Sequence, residues 1–259
     1  MNDTRPIGLF DSGIGGTSIW RSVHEMLPNE NTLFIGDSAN APYGQKTKNE
    51  IIDLSKKNTE WLIAQNAKII IVACNTATTN AIAELRAQYN IPIIGIEPAI
   101  KPAAIATKTG KVGVLATKRT ITSPKYTEAQ MQFPNVKFIN QIGHKIVPLI
   151  EEGKLYSKEL EELLHHYVKP MLEQEIDHLV LGCTHYPYLL PILEKFVSTN
   201  VKIIDSGTAV AKQTFKILND NNLLKTDGIL GIAEFYTNKN VEILQSFVHE
   251  YGTAKKIDF

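Results

Sequence analysis

Short apolar runs alternate with amphipathic helical patterns along the whole chain. The runs are rich in isoleucine, valine and leucine, which is typical of strands buried on both faces of a parallel sheet. Strands are predicted at 7–10, 32–35, 69–72, 93–96, 111–115, 136–139, 178–181, 202–204 and 229–235. Helices are predicted at 17–27, 47–65, 76–89, 98–107, 123–130, 157–173, 188–197, 208–219 and 241–249. This alternation predicts an α/β fold built on doubly wound parallel sheets.

A weak internal repeat indicates two similar units. Residues 7–12 (IGLFDS) resemble residues 112–117 (VGVLAT), and in each half a strand ending in cysteine follows at a similar interval. We therefore expect two similar doubly wound domains related by pseudo-symmetry. Since repeated units of this kind usually face each other across a cleft, we expect the active site in the cleft between them.

Turn-forming residues mark the predicted crossovers between the domains. A proline ends the strand in the segment Gly95–Pro98, and Asp205–Gly207 has turn composition. We expect a first domain of residues 1–96 plus 208–259. The second domain, residues 97–207, is inserted between these two parts.

Composition favours a small polar ligand. The 259 residues are 43% apolar, carry no formal net charge, and have dispersed lysines and arginines. No electrostatic footprint for nucleic acid or a membrane surface is visible. No apolar run approaches the roughly 20 residues that cross a bilayer, and the first predicted strand leaves no room for a signal peptide. We therefore expect a cytoplasmic protein. In that reducing compartment, a structural disulfide between the two cysteines is not expected.

The two cysteines stand at equivalent points of this pattern. Cys74 and Cys183 each close a predicted strand and are followed by small polar residues, Asn75 and Thr76 in the first case and Thr184 in the second. Strand-to-helix turns are where open α/β sheets bind ligands. A helix N-terminus lowers the pKa of a thiol, so two reactive thiols are predicted. The alternative is that each is a small buried hydrophobic residue.

Asp11 and His185 are the predicted acid–base partners of the two sulfurs. Asp11 ends the first strand, where it lies beside other strand ends and can reach Cys74. A carboxylate raises the pKa of a nearby thiol, so Asp11 would accept the proton or orient the group. A helix N-cap is the alternative role for Asp11. His185 could play the matching part for Cys183.

Cofactor sites are not favoured. Cys74, Cys183 and His185 would make a zinc set, but the Cys-x-His spacing has no companion ligand pair, so we expect no metal. The glycine-rich turn at 11–16 would need glycine in place of Ser18 to match a dinucleotide site, and a P-loop lysine is absent. No cofactor is therefore expected.

Two further segments have ordinary interpretations. Residues 40–44 form a turn by composition, placed after the second strand on the ligand edge. Glu151 and Glu152, followed by glycine and lysine, have the pattern of a solvated helix end.

Five motifs together resemble the glutamate racemases of the cofactor-independent Asp/Glu racemase family. In chain order they are DSGIGG (11–16), PYG (42–44), ACNT (73–76), VPLIE (147–151) and GCTHYP (182–187). The resemblance spans nearly the whole chain. It implies an isomerase that interconverts L- and D-glutamate, supplies D-glutamate for peptidoglycan, and forms a homodimer.

The resemblance also implies roles for individual residues. Cys74 and Cys183 match the paired acid–base thiols, with Asp11 as partner of the first and Glu151 with His185 as partners of the second. Residues that match the substrate-binding groups are Asp11, Ser12, Tyr43, Gly44, Asn75, Thr76, Thr117, Thr184 and His185.

These roles lead to the hypothesis of a two-base 1,1-proton transfer, with one thiol on each face of the α-carbon. One alternative is a racemase of aspartate or another amino acid, because one methylene in the substrate is worth only ~1–3 kcal/mol of discrimination. The other alternative is a non-catalytic regulatory protein of the same fold.

Overall fold

A computed structural model of the chain describes residues 2–258. Ten strands lie within this range: β1 (Ile7–Asp11), β2 (Thr32–Gly36), β3 (Ile69–Val72), β4 (Ile93–Gly95), β5 (Lys111–Ala116), β6 (Lys137–Ile142), β7 (His178–Gly182), β8 (Lys202–Ile204), β9 (Ala233–Thr237) and β10 (Ala254–Lys256). The α-helices are α1 (Thr17–Met26), α2 (Lys48–Ala64), α3 (Asn75–Gln88), α4 (Ile100–Ala106), α5 (Lys118–Ile121), α6 (Pro124–Met131), α7 (Ile146–Glu151), α8 (Lys158–Leu172), α9 (Leu190–Leu193), α10 (Gly207–Asp220) and α11 (Val241–Val248).

The strands form two sheets in which every pair is parallel. The first sheet has the order β10-β9-β2-β1-β3-β4 and the second β6-β5-β7-β8. The chain divides into two compact units, residues 1–96 with 207–259 and residues 97–206. The predicted α/β class with two parallel-sheet domains is confirmed, while the cleft stays a prediction. No helix within residues 2–258 is long and apolar enough to span a bilayer.

The internal repeat appears as a shared strand order. In each unit the first four strands run second, first, third, fourth across the sheet, as β2-β1-β3-β4 and as β6-β5-β7-β8. The third strands, β3 and β7, are buried along their whole length, which explains their apolar sequences. Cys74 and Cys183 follow these two strands, so the cysteines occupy equivalent places in the topology.

The structure departs from the predicted elements in five places, two of which are the short helix α5 and the edge strand β10, neither of them predicted. The segment of α7 was not predicted as a helix, because it is short and contains Pro148. The helix predicted at 188–197 is a 3₁₀ turn followed by the short α9, where Pro187 and Pro191 interrupt the pattern. The last predicted strand begins later, at Ala233, because the apolar residues at 229–232 are largely exposed and lie before β9.

A buried ion pair secures the amino ends of β2 and β3. Lys68 Nζ lies 2.5 Å from Glu30 Oε2, and the side chains are 0% and 3% exposed. The same ammonium donates to the carbonyl of Asp3 at 2.8 Å, and Glu30 Oε1 accepts the N–H of Lys225 at 2.8 Å. These contacts join the start of the chain and the segment before β9 to the edge of the sheet opposite Cys74.

Lys68→Met should lower the free energy of unfolding by about 3–5 kcal/mol, because it leaves a carboxylate buried without a counter-charge. The double variant Lys68→Met/Glu30→Leu should recover most of the loss, since apolar groups replace both charges. Urea unfolding measures both. Lys111→Met is the control, because Lys111 pairs with a Glu175 side chain that is 82% exposed. A loss no larger than that of the control would contradict the role of the buried pair.

Candidate active site

Cys74 lies between the end of β3 and the first turn of α3. It is the N-cap residue of this helix, and its sulfur accepts the N–H of Ala77 at 3.4 Å. The neighbouring β1 reaches the same edge of the sheet, where the N–H of Ala73 donates to the carbonyl of Phe10 at 2.8 Å. The strand pairing therefore brings the residues that follow Phe10 to the side of Cys74.

Ser12 stands between the sulfur and the carboxylate of Asp11. The Cys74 thiol donates to Ser12 Oγ at 3.5 Å, and this hydroxyl donates to Asp11 Oδ1 at 3.4 Å. Asp11 is fully buried, and its Oδ2 accepts the N–H of Gly16 at 2.6 Å just before α1. The carboxylate thus binds the backbone just before this helix, without being its N-cap, and is connected to the thiol through Ser12.

Only glycine fits at Gly16. A Cβ atom there would lie 2.5 Å from the Asp11 Cβ and 2.9 Å from the ring of Phe34. Because glycine has no Cβ, the backbone can approach closely enough for the N–H of Gly16 to donate directly to the Asp11 carboxylate. The glycine-rich turn therefore serves a carboxylate of the chain itself.

The pKa of the Cys74 thiol is raised well above its usual value. Burial is the main cause, and the negative charge of Asp11 adds to it, while the hydrogen bonds with Ala77 and Ser12 oppose it. The predicted lowering of the pKa is wrong for this sulfur, because desolvation of the thiolate outweighs the helix end. Cys74 is held as a neutral thiol.

Tyr43 begins a 3₁₀ turn, 43–45, that follows β2. Its phenol is buried, donates to Asp37 Oδ2 at 2.5 Å and accepts from Asn58 Nδ2 at 3.2 Å. Burial and the charge of Asp37 raise the pKa of Tyr43, so the hydroxyl stays protonated. The phenol therefore anchors the turn.

Asn75 and Thr76 form the first turn of α3, next to Cys74. Both are 4% exposed. Within residues 2–258, the amide nitrogen of Asn75 has no hydrogen-bond partner. A buried polar atom without a partner is rare and costly, and a ligand oxygen would satisfy it.

The second cysteine has a matching place in the second unit. β5 and β7 pair so that Ala116 lies opposite Gly182, which puts Thr117 and Cys183 at adjacent strand ends. Thr117 is the N-cap of α5 and accepts the N–H of Thr120 at 3.3 Å. Thr184 is buried beside the sulfur.

Cys183, His185 and Glu151 form a buried chain of three groups. The sulfur lies 3.8 Å from His185 Nδ1, and His185 Nε2 lies 2.5 Å from Glu151 Oε1. Their exposed fractions are 8%, 1% and 7%. The solvated interpretation of Glu151 is wrong: α7 turns this carboxylate inward, whereas the neighbouring Glu152 is exposed and pairs with Lys154.

The imidazole of His185 is held in its charged form. Burial lowers its pKa, but the hydrogen bonds to Cys183 and Glu151 and their negative charges outweigh burial and raise the pKa well above the usual value. The Cys183 sulfur therefore faces a positive imidazolium, whereas Cys74 has a carboxylate behind it. The two sulfurs thus have neighbours of opposite charge. Within residues 2–258, no group of three potential ligands is placed to hold a metal ion.

Each parallel-sheet unit carries one buried cysteine with ionisable or hydroxyl side chains beside it. The model of the Asp/Glu/Hydantoin racemase family matches residues 7–214. Glutamate racemase from Ectopseudomonas mendocina is 46% identical over 229 residues, 87% of each chain. Glutamate racemase from Pseudomonas putida is 44% identical over 245 residues, covering 94% of this chain and 92% of that one.

Solved structures of glutamate racemases have the same fold as this chain. Glutamate racemase isoform RacE1 from Bacillus anthracis superposes with a TM-score of 0.87 at 28% identity, covering 99% of this chain and 98% of that one. The Escherichia coli glutamate racemase, solved in complex with L-glutamate and the activator UDP-MurNAc-ala, has a TM-score of 0.85 at 30% identity, covering 98% of both chains. The chain belongs to the Asp/Glu/Hydantoin racemase family, a family of isomerases, and the predicted membership is confirmed.

Glu151→Gln should lower the pKa of His185, because a neutral amide stabilises an imidazolium less than a carboxylate does. A raised folded-state pKa contributes stability that is complete below the unfolded value of about 6.5 and is lost as pH rises through the folded value. The variant should lose part of this contribution. NMR titration of the histidine ring protons measures the pKa.

Glu152→Gln is the matched control, since this exposed carboxylate lies one residue away and pairs with Lys154. It should leave the His185 titration unchanged. Equal titrations of His185 in wild type and Glu151→Gln would contradict the assignment.

Proposed function

We propose that the protein is a glutamate racemase that interconverts L- and D-glutamate by proton transfer between Cys74 and Cys183, without a cofactor. The observation that carries the proposal is the placement of two cysteines after equivalent strands in opposite electrostatic settings. The names of the relatives support glutamate as the substrate. Supply of D-glutamate for peptidoglycan, a homodimer and a cytoplasmic location are parts of the same proposal.

A two-base inversion of a stereocentre uses a base on one face of the α-carbon and an acid on the other. Cys183, beside the imidazolium of His185, acts as the base that removes the α-proton of one enantiomer. Cys74, kept neutral by burial, delivers its own proton to the opposite face. The sulfurs then hold exchanged protonation states, from which the reverse reaction starts. Each sulfur should approach the α-carbon to about 3–3.5 Å in the reactive complex.

The relay through Ser12 gives Cys74 a means to exchange its proton. After donation, the new thiolate accepts a hydrogen bond from the Ser12 hydroxyl, which also lies beside Asp11. Asp11 disfavours a lasting negative charge on the sulfur and so favours its reprotonation. On the other side, Glu151 keeps the His185 ring oriented and charged.

The carbanion is the most demanding species in this reaction. Hydrogen-bond donors aimed at the substrate α-carboxylate would delocalise its charge, which is the largest electrostatic contribution in many active sites. The amide nitrogen of Asn75, which has no hydrogen-bond partner in the described part of the chain, is such a donor, buried next to Cys74. Ser12, Thr76, Thr117, Thr184 and the backbone at Tyr43 and Gly44 are proposed to hold the remaining carboxylate and ammonium groups.

Racemisation of L-glutamate in D₂O should yield D-glutamate that carries an α-deuterium from the first turnover. The thiol that delivers the proton is not the one that removed it, and it exchanges with solvent before substrate binds. Mass spectrometry combined with chiral separation measures the label. Unlabelled D-product would exclude two separate bases. The same assay with L- and D-aspartate distinguishes glutamate from aspartate as the substrate.

Cys74→Ala and Cys183→Ala should each lower racemisation in both directions by ~10²–10⁴-fold, since each direction needs both sulfurs and this is the usual contribution of one acid–base group. Each variant should still exchange the α-proton of one enantiomer with solvent, and the two variants should act on opposite enantiomers. Proton NMR in D₂O follows this exchange. Exchange of the same enantiomer by both variants would contradict sulfurs on opposite faces. Circular dichroism checks the fold of each variant.

A further inference from the structure

Asp37 is a buried carboxylate that is not a member of either thiol centre. It follows β2 and is fully buried. Its Oδ1 accepts Asn40 Nδ2 at 2.8 Å and Asn238 Nδ2 at 2.5 Å, and its Oδ2 accepts the Tyr43 hydroxyl at 2.5 Å. Within residues 2–258, no cationic nitrogen lies within 4.0 Å of the carboxylate. Three neutral donors therefore stabilise the buried carboxylate. Because no cation compensates for burial, the loss of any one donor should be costly.

Asn238 contacts the segment twice. Besides its donor bond to Asp37, its Oδ1 accepts the N–H of Ala39 at 2.8 Å. The backbone of residues 38–45 is thereby held at its start by Asn238 and further along by the phenol of Tyr43. The Asn238 side chain thus hydrogen-bonds both to the N–H of Ala39 and to the Asp37 carboxylate, which also accepts the Tyr43 hydroxyl.

Strand pairing brings Asn238 to this position from far along the chain. β2 and β9 are parallel neighbours, with Gly36 opposite Thr237, so the residues that follow these two strands meet at the same edge of the sheet. Asn238 lies outside residues 7–214, the part of the chain that the family model matches. Its role is therefore a property of this chain that the match does not cover.

We propose that Asn238 is a positioning residue for racemisation, acting through Asp37 on the turn that carries Tyr43 and Gly44. The inference rests on the proposed function, in which the backbone of these two residues binds substrate. The Asn238 amide hydrogen-bonds to Asp37 and to the backbone of Ala39 and so fixes their positions. Asp37 in turn accepts the Tyr43 hydroxyl, and this bond fixes the position of the turn that begins at Tyr43. Loss of the amide should therefore weaken substrate binding more than it slows the proton transfers at the sulfurs.

Asn238→Ala removes both contacts, whereas Asn238→Asp keeps an acceptor for the Ala39 N–H and places a second carboxylate against Asp37. Both variants should raise KM for L- and D-glutamate about tenfold, since a misplacement of about 1 Å costs up to ~10²-fold. They should change kcat by less than about twofold because the sulfurs and their partners are untouched. Steady-state kinetics in both directions measures this split. If Asn238→Asp does not fold, Asn238→Ala decides alone.

Hydrogen exchange gives a readout that does not depend on activity. In Asn238→Ala the amide hydrogens within residues 39–46, where all residues but Pro42 carry one, should exchange faster, while those of α2 should keep their rates. Asn240 supplies matched controls, since its side chain caps α11 through the N–H groups of Glu242 and Ile243. Asn240→Asp should preserve the cap and the kinetics, and Asn240→Ala should lower the melting temperature without a change in KM.

Each outcome is decisive. Unchanged exchange of residues 39–46 in Asn238→Ala would overturn the anchoring role. Faster exchange with an unchanged KM, or a fall in kcat at constant KM, would overturn the positioning of substrate by this turn. Wild-type protein that does not racemise glutamate, together with faster exchange in the variant, would remove the proposed function and leave the anchor in place.

Discussion

The parallel pairing of each first strand with its third is the constraint on which the rest of the structure depends. β1 lies beside β3 in one unit, and β5 lies beside β7 in the other. Since parallel strands end at the same edge, this pairing puts Asp11 near Cys74 and Thr117 near Cys183. It requires both third strands to be buried on two faces, which their isoleucine-, valine- and leucine-rich sequences satisfy.

The two thiol centres share a topology and differ in charge. One sulfur is buried in front of a carboxylate, with Ser12 between them, and the other faces an imidazolium that Glu151 holds. The shared topology therefore does not make the two sulfurs electrostatically equivalent. The difference arises from the loops and from α7, since the first four strands of each unit have the same order.

Buried polar groups stabilise the first sheet at both the amino and the carboxyl ends of its strands. At the amino edge, Lys68 and Glu30 neutralise each other and tie distant segments to the strands. At the carboxyl edge, Asp37 is held by neutral donors and orders the turn that carries Tyr43. A buried charge is costly unless its bonding is complete, so both clusters favour one arrangement of the surrounding chain over its alternatives.

The sequence by itself determined the class of fold, the internal repeat and the strand-to-helix location of Cys74 and Cys183, because apolar strand runs and turn residues act locally. Only the tertiary structure decided the inward direction of Glu151, the place of Ser12 between sulfur and carboxylate, and the meeting of Asp37 with Asn238. These contacts depend on which strands are neighbours in the sheet and on how short loops turn, which no local pattern encodes. The raised pKa of Cys74 has the same origin: sequence reveals a helix end beside the thiol, but the extent of burial, which outweighs it, exists only in the folded chain.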